Sequence, residues 1–218
     1  MKFPKDIKCV IFDMDGVIID SEEIHKKAYY ETFNSLGVTV SEELYKTFTG
    51  SSTINAFQKL VSHFELDLDP EKLVLDKRAR YVNFFENDPN LHLVKGIENF
   101  IKHCYNKGFT LVLASSSAMV NIDRVFNRFN LNKYFTAKIS GADLLESKPH
   151  PEIFEKAALL GKTERQNCIV IEDSDNGIKA ANDANIFVVG FANPLSEGQT
   201  LETADFIINN FKRLQKLL

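Results

Sequence analysis

Cysteine is scarce in this 218-residue sequence, and no internal repeat, low-complexity tract or block of like charge occurs in it. The three cysteines, Cys9, Cys104 and Cys168, are odd in number and widely spaced, which excludes a disulfide framework and a zinc cluster. We therefore expect reduced, buried thiols in a cytoplasmic protein. Hydrophobic residues make up 44% and charged residues 26%, which excludes a disordered or collagen-like chain.

An excess of charge of one sign is also missing. Lysine and arginine total 26 and aspartate and glutamate total 30, which gives a formal net charge of −4. This balance leaves no electrostatic footprint for nucleic acid or for an anionic membrane. No apolar run approaches the ~20 residues that a membrane span needs. The start, Met-Lys-Phe-Pro-Lys-Asp, lacks the apolar core of a signal peptide. We therefore expect small-molecule partners, with no nucleic acid and no membrane.

Short apolar runs predict the strands of the fold. The strongest runs are Cys9–Phe12, Thr110–Ala114, Cys168–Glu172 and Phe187–Gly190, and the weaker ones are Lys138–Ser140 and Phe206–Ile208. The strong runs lack alternation with polar residues, which is typical of strands buried on both faces. Helical patterns lie between them. The predicted fold class is therefore α/β, a doubly wound and mostly parallel sheet with right-handed crossovers.

Two of the predicted helices carry signals at their ends. Apolar residues recur at helical spacing through residues 97–105, and Gly108 follows as a stop signal. A shorter helix has apolar residues on one face from Ile178 to Ala184. Asp175 is expected to cap its amino terminus.

One interval breaks the alternation of strand and helix. From about Ser21 to about Asn87 only helical patterns occur, and about 65 residues are too many for an ordinary crossover. We expect two domains, an α/β core of residues 1–20 and 88–218 and a helical cap domain of residues 21–87. The hinges are predicted near Ile18–Ser21 and Asn87–Leu93. Because open α/β sheets bind ligands beyond the carboxyl ends of their strands, the inserted helices are expected to cover such a site.

Two carboxylates, Asp13 and Asp15, follow the first predicted strand. Like charges this close need a cation or a shared proton. Magnesium suits such a place, because it is a hard cation that takes a few protein carboxylates together with substrate phosphate oxygens. From these two residues alone, an ordinary turn with two solvated acids is the alternative.

Other predicted strands end in groups that fit the same chemistry. Ser115–Ser117 follows the second long strand and precedes a helix, where hydroxyls and free backbone amides can bind an anion. Lys148 precedes a proline, and Glu172 and Asp173 end a buried strand, where unpaired charge is unfavourable. Taken singly, the serines fit a helix cap and the lysine a solvated side chain. Together, these groups predict a site for a cation and a phosphate.

At these positions the sequence resembles the haloacid-dehalogenase-like superfamily of phosphatases. Its four motifs occur in order along nearly the whole chain, as Asp13-Met14-Asp15-Gly16-Val17, Ser115, Lys148-Pro149 and Glu172-Asp173-Ser174-Asp175-Asn176-Gly177. The sequence is most similar to the subfamily of β-phosphoglucomutase and small sugar-phosphate phosphatases, which shares Asp20-Ser21 followed by His25. The resemblance implies a Rossmann-like core with an inserted cap, and a Mg²⁺ cofactor.

The resemblance also implies catalytic roles. Asp13 would be the nucleophile that forms an aspartyl-phosphate, and Asp15 would protonate the leaving oxygen and then activate the incoming water. Mg²⁺ would bind the Asp13 carboxylate, the Asp15 backbone carbonyl and Asp173. In phosphoryl transfer, positioning and charge neutralisation supply most of the catalysis.

Further residues are implied to hold the phosphate. Ser115 and Lys148 would contact the phosphoryl oxygens, with the Ser116 backbone amide as a helper. Mg²⁺ and Lys148 would offset the repulsion between an anionic nucleophile and an anionic phosphate. Glu172 is implied either as an outer partner of the metal or as the residue that orients Lys148.

The inserted helices are expected to select the substrate. The resemblance places His25 where the mutases have a histidine that couples cap closure to proton transfer, and Lys77 near their cap lysine. From the residues alone, both also fit solvated helix positions. Gly50 and Thr53 lie in the expected specificity loop of the cap.

Two positions in this region favour hydrolysis over isomerisation. Thr53 replaces the arginine with which β-phosphoglucomutase grips a distal phosphate, and threonine makes no bidentate phosphate contact. Met119 replaces a polar asparagine of the mutases. We therefore favour a monomeric phosphatase acting on a small phosphorylated metabolite, a sugar or polyol phosphate, with β-phosphoglucomutase activity as the alternative.

Other functions fit these residues less well. A haloacid dehalogenase lacks the second acid of the first motif, because an alkyl halide needs no protonated leaving oxygen, and Asp15 is present. A phospho-receiver domain accepts phosphate on a later strand and carries no helical insertion. A purely binding member of the family is expected to lack Asp13 or Lys148, and both are present.

Overall fold

The computed structural model describes residues 3–48, 51–89, 91–196 and 198–218, without the side chain of Glu22. Its strands are β1 (Cys9–Phe12), β2 (Thr110–Ser115), β3 (Ala137–Ser140), β4 (Cys168–Glu172), β5 (Phe187–Phe191) and β6 (Phe206–Ile208). Its α-helices are α1 (Glu22–Ser35), α2 (Glu42–Lys46), α3 (Thr53–His63), α4 (Pro70–Asn87), α5 (Ile97–Asn106), α6 (Met119–Arg128), α7 (Glu152–Leu160), α8 (Asp175–Asp183) and α9 (Phe211–Gln215).

The six strands found in the described residues form one parallel sheet in the order β3-β2-β1-β4-β5-β6. All six predicted strands are thereby confirmed, with small differences at their ends. Ser115 extends β2, Phe191 extends β5, and β3 begins at Ala137. Because β1 pairs with both β2 and β4, the residues that follow these three strands meet at the middle of one sheet edge.

The sheet is buried on both faces, as the unbroken apolar runs predict. Val10 and Phe12 of β1 lie in a core with residues of α5, α6 and α9, whereas Cys9 and Ile11 lie in a second core with residues of α7 and α8. This division follows from the alternation of side chains along a strand. Helices therefore cover both faces, and the predicted doubly wound α/β class is confirmed.

Helices α1–α4 follow one another between β1 and α5 in the described residues, as the helical patterns from about Ser21 to about Asn87 predict. They carry an apolar cluster of their own, in which the side chain of Phe57 is fully buried. Polar caps begin three of these helices. The side chains of Ser41, Ser52 and Asp69 accept hydrogen bonds from backbone N–H groups in the first turns of α2, α3 and α4.

The two segments that connect these helices to the sheet run side by side. Ile19 forms an isolated antiparallel bridge with Leu93. The N–H of Asp20 donates to the carbonyl oxygen of His92 over 3.2 Å. These contacts lie in the two segments where the hinges are predicted, and the domain boundaries remain a prediction.

Helix α8 begins differently from the prediction. Ser174, rather than Asp175, is its N-cap residue, because Ser174 has an extended backbone and its Oγ accepts from Gly177 N–H over 3.1 Å. Asp175 is the first helical residue. Its carboxylate accepts hydrogen bonds from the N–H groups of Thr200 and Leu201 over 3.1 and 2.8 Å. The Asp175 side chain, which the local pattern predicts as the cap, therefore binds a segment distant in sequence instead.

Helix α5 matches its pattern except at the carboxyl end. Gly108 follows the helix with a φ of 82°, the left-handed conformation expected of a stop signal. Tyr105, expected on the apolar face, is 50% exposed.

Within the described residues the three cysteines are free and buried. In the same ranges, no helix has the length and apolar character required to cross a bilayer.

Candidate active site

The ends of β1 and β4 meet a buried lysine at the sheet edge. Asp13 follows β1 directly, and its N–H donates to the carbonyl oxygen of Ile171 over 3.0 Å. Lys148 Nζ donates to Asp13 Oδ1 and Glu172 Oε1 over 2.6 Å each, and to the carbonyl oxygen of Ala114 over 3.1 Å. Lys148 is 2% exposed and Glu172 1%. The three charged residues therefore form a buried cluster across the sheet edge.

This cluster carries more acidic than basic groups. Burial and the charges of Glu172 and Asp15 outweigh the lowering effect of Lys148 and raise the pKa of Asp13 to about 8. Burial lowers the pKa of Lys148, but the two carboxylates beside it hold that pKa above its ordinary value. Lys148 thus stays charged. A further cation at the cluster would favour the ionised Asp13 that a nucleophile must be.

Three buried carboxylates could hold that cation. Asp13, Glu172 and Asp173 each place one oxygen so that the three atoms lie within 4.8 Å of one another. Donors of oxygen only, with surplus negative charge, suit Mg²⁺. The set brings together the predicted ligands Asp13 and Asp173 and adds the Glu172 carboxylate. The backbone carbonyl of Asp15 as a ligand stays a prediction.

Glu172 holds both Lys148 and the turn that follows β4. Its Oε1 accepts from Lys148, and its Oε2 accepts from Asp173 N–H, Ser174 N–H and Ser174 Oγ over 3.0, 3.1 and 3.0 Å. This geometry fits the role of Glu172 as the residue that orients Lys148. The same carboxylate also lies in the acidic cluster, so both roles implied by the resemblance remain compatible with its position.

Two glycines leave room for the acidic side chains. A Cβ added to Gly16 would lie 2.0 Å from Asp173 Oδ2, and Gly16 has a φ of 81°. A Cβ added to Gly177, in the first turn of α8, would lie 1.9 Å from Glu172 Oε1. Any side chain at either position would displace a carboxylate of the site.

The serines after β2 divide between the backbone and the cavity. Ser115 is 1% exposed, and its Oγ accepts from Ser117 N–H over 3.1 Å. Ser116 and Ser117 line the cavity described below, whereas Ser115 is not among its lining residues. Ser117 Oγ donates to Asp15 Oδ2 over 2.9 Å. The sequence predicts Ser117 only as part of the hydroxyl run expected to bind an anion, and its contact with Asp15 was not predicted.

Asp15 accepts hydrogen bonds at both of its carboxylate oxygens. Oδ1 contacts Ser21 Oγ and lies 3.2 Å from His25 Nε2, and Oδ2 accepts from Ser117. Burial raises the pKa of Asp15, but His25 and the two hydroxyls outweigh it and lower the pKa to about 2. In this arrangement Asp15 is therefore an anion. The contact from Ser21 is a second one to which sequence reasoning gave no role.

The predicted cap residues His25 and Lys77 lie together beside Asp15. Lys77 Nζ is 2.6 Å from His25 Nδ1, and Lys77 is 2% exposed. Neither residue therefore has the solvated side chain that the sequence alone also allowed. The His25 ring stacks on Tyr81 at 4.4 Å, and Lys77 Nζ lies 4.5 Å from the centre of the Tyr29 ring. When Lys77 donates a hydrogen bond to Nδ1 of His25, Nδ1 carries no proton. Nε2 then carries the ring proton and donates the hydrogen bond to Asp15.

These groups line a cavity of about 100 Å³ between the sheet edge and the inserted helices. Its lining residues are Asp13, Asp15, His25, Tyr29, Tyr45, Phe48, Ser51, Thr53, Ser116, Ser117, Lys77, Lys148, Glu172, Asp173 and Ser174. Thr53 therefore lies where the substrate is expected. Gly50 lies outside the described residues.

No arginine is among the described residues that line this cavity. Arg80, on α4, is paired with Asp76 over 2.7 Å and with Glu31 over 3.1 Å. Met119 is partly buried and packs against the core. The described lining of this cavity therefore contains no guanidinium group.

The sequence of this chain is similar to the sequences of known proteins. The model of the family described as haloacid dehalogenase-like hydrolase matches residues 10–191. Hexitol phosphatase B of Escherichia coli (strain K12) is 31% identical over 189 residues, which cover 85% of this chain and 84% of that protein. Protein SUPPRESSOR OF QUENCHING 1, chloroplastic, of Arabidopsis thaliana is 31% identical over 200 residues. The match covers 88% of this chain but only 18% of that longer protein.

A solved structure extends the likeness to the whole fold. β-Phosphoglucomutase from Clostridium difficile is similar at a TM-score of 0.83 and 26% identity. The match covers 97% of this chain and 96% of that one. The sheet and the helices inserted after β1 therefore both fall within the shared architecture.

Proposed function

The chain belongs to the haloacid dehalogenase-like hydrolase family of enzymes, and we propose that it is a Mg²⁺-dependent phosphatase acting on a small sugar or polyol phosphate. One observation carries this proposal: the buried Lys148 contacts both Asp13 and Glu172 through Nζ in a cavity that Asp173 also lines. A nucleophilic carboxylate, a fixed cation and a metal-binding acid are the groups that phosphoryl transfer requires.

The reaction would proceed in two half-reactions. In the first, an Asp13 oxygen attacks phosphorus, the bond from phosphorus to the leaving oxygen breaks, and Asp15 gives that oxygen a proton. In the second, water attacks the phosphorus of the aspartyl-phosphate and gives a proton to Asp15, and the bond from phosphorus to Asp13 breaks. Lys148 would offset the phosphoryl charge in both. Asp13, Asp173 and the Asp15 backbone carbonyl would hold Mg²⁺, with Glu172 beside them, and the ion would supply charge neutralisation and orientation of the phosphoryl oxygens.

The hydrogen bonds of Asp15 relate to the second half-reaction. His25, Ser21 and Ser117 lower the pKa of Asp15 to about 2 against the effect of burial, which keeps Asp15 in the anionic form that this half-reaction needs but makes it a weak base. The first half-reaction needs a protonated Asp15. Substrate binding therefore has to change at least one of these three hydrogen bonds.

The inserted helices, residues 21–87, would act as the cap over a core of residues 1–20 and 88–218. Ser51 and Thr53 supply hydroxyl groups on the cap side of the cavity, with three aromatic rings beside them. Such a wall suits a neutral polyhydroxylated leaving group better than a second phosphate. The dephosphorylated product would leave, and water would reach the aspartyl-phosphate.

β-Phosphoglucomutase activity is the second candidate. The contacts of His25 with Asp15 and Lys77 support it, because the resemblance assigns His25 to cap closure in the mutases. Thr53 and the absence of arginine from the described cavity lining weigh against it.

A screen of phosphorylated metabolites with Mg²⁺ tests both candidates. It should include hexitol phosphates, and β-glucose 1-phosphate with β-glucose 1,6-bisphosphate. Free phosphate and glucose 6-phosphate are followed together, with Asp13→Asn as the inactive control. We expect phosphate release that Asp13→Asn abolishes. Glucose 6-phosphate that forms many times faster than free phosphate would instead establish the mutase.

We also propose a monomer and a cytoplasmic location. The free, buried thiols of Cys9, Cys104 and Cys168 support a reducing compartment. Light scattering on the purified protein tests the monomer, and a mass near twice 24.8 kDa would contradict it.

A further inference from the structure

The segment after β5 passes over the sheet edge beside the acidic site. We name residues 192–196 and 198–201 the β5 strap. Asn193 Nδ2 donates to the carbonyl oxygen of Gly16 over 2.8 Å, which ties one end of the strap to the loop after β1. Gln199 Oε1 accepts from Asp175 N–H over 2.7 Å, which ties the other end to α8. The strap is therefore fastened on both sides of the site.

Ser196 lies between these two anchors and reaches Asp173. Its Oγ donates to Asp173 Oδ2. The same oxygen packs against Gly16, where an added Cβ would lie 2.0 Å away. The N–H of Asp173 is itself bound by Glu172 Oε2 over 3.0 Å. The carboxylate of Asp173 is thus confined from the backbone side and from the strap side.

We propose that Ser196 is a positioning residue for the metal: its hydroxyl holds the Asp173 carboxylate in the orientation that brings it within 4.8 Å of the Asp13 and Glu172 oxygens. Metal-ligating carboxylates are commonly hydrogen-bonded by outer residues, and loss of such a partner typically costs 10–100-fold in affinity. Without the hydroxyl, Asp173 would have to lose rotational freedom when the metal binds. The inference rests on the proposed Mg²⁺ dependence and adds a residue that none of the four motifs contains.

Titration calorimetry of Mg²⁺ into the substrate-free protein tests this role. Ser196→Ala should weaken Mg²⁺ binding by tenfold or more. Ser196→Thr keeps the hydroxyl and should bind within about threefold of wild type. Leu195→Ala is the matched control, because it truncates a neighbouring strap side chain that is 52% exposed, and it should bind as wild type does.

The outcomes separate this inference from the proposed function. Wild-type affinity in Ser196→Ala, or equal weakening in Ser196→Thr and Ser196→Ala, would overturn the role of the hydroxyl. A wild-type protein that binds no Mg²⁺ would overturn it as well. Weaker Mg²⁺ binding by Ser196→Ala but not by Ser196→Thr would support the role of the hydroxyl, even if no phosphate ester in the screen is hydrolysed. Thermal unfolding in chelator should show that all four proteins are folded, with Ser196→Ala only slightly less stable than the others because it lacks the hydrogen bond to Asp173.

Discussion

Asn55 Nδ2 donates a hydrogen bond to Ser147 Oγ over 3.0 Å, and this bond joins the first turn of α3 to the residue before Lys148. The two residues are 92 positions apart in the sequence. The inserted helices thereby contact the loop that carries the buried lysine. If the cap opens on its hinges, this bond must break.

The first prediction concerns this bond. Asn55→Ala should lower kcat/KM by about fivefold, because a neutral hydrogen bond contributes about 1 kcal/mol net and here favours the closed arrangement. Ser147→Ala should have the same effect. The double variant should be no worse than either single one, because all three remove one interaction. Additive losses in this steady-state cycle would mean that the two residues act separately.

The second prediction concerns Gly177. In an ordinary helix position, glycine to alanine stabilises by roughly 0.5–1 kcal/mol. Here the added methyl would lie 1.9 Å from Glu172 Oε1, so Gly177→Ala should instead lower the free energy of unfolding by about 1–3 kcal/mol. Hydrolysis should fall more than tenfold, because Glu172 holds Lys148. Urea unfolding and initial rates check this.

Lys179→Ala is the matched control for Gly177→Ala. Its side chain is exposed on the same helix and pairs with Asp183 over 2.7 Å. It should change stability by less than about 0.5 kcal/mol. A stabilised, active Gly177→Ala would show that Glu172 can move without consequence.

The sequence predicts the site residues best where they adjoin regular structure. Asp13, Glu172 and Asp173 end or follow strands whose apolar runs are unambiguous, so their common edge follows from parallel topology. Residues in the loops were not predictable in the same way. Ser117 and Ser196 contact the acids only because their loops follow particular paths, and neither spacing nor periodicity encodes those paths.

The N-cap of α8 shows the same limit at one residue. Ser174 and Asp175 are both good caps by type, so local pattern does not choose between them. The choice depends on Thr200 and Leu201, whose N–H groups take the Asp175 carboxylate. A tertiary contact thus decides a local feature.

The third prediction concerns removal of the metal. Excess chelator should abolish hydrolysis, and Mg²⁺ should restore it, because the single positive charge of Lys148, which pairs with Asp13 and Glu172, does not offset the charge of the three acids Asp13, Glu172 and Asp173. Calcium should not restore activity, since it prefers more ligands and looser geometry. Phosphate-release assays with each cation measure this. Full activity in chelator would contradict the metal role.

The fourth prediction concerns Lys148→Met, which keeps the length of the side chain and removes its charge. Two carboxylates, Asp13 and Glu172, would then face each other in a buried site without their cation. Removal of one partner of a buried ion pair costs about 3–5 kcal/mol, so chelator-treated Lys148→Met should lose stability of that order. Hydrolysis should fall at least 100-fold, because no side chain would offset the phosphoryl charge.

Mg²⁺ should recover part of that stability, and this recovery distinguishes the electrostatic argument from simple loss of packing. The surplus negative charge left by Lys148→Met attracts a divalent cation more strongly, so added Mg²⁺ should raise the thermal midpoint of the variant more than that of the wild type. Glu172→Gln serves as the opposite control, because it removes negative charge and should show a smaller Mg²⁺-induced rise than the wild type. Thermal unfolding with and without Mg²⁺ measures all three proteins. If the rise is the same in each, the charges of Lys148 and Glu172 do not act on the metal, and the cluster at the sheet edge stabilises the fold only.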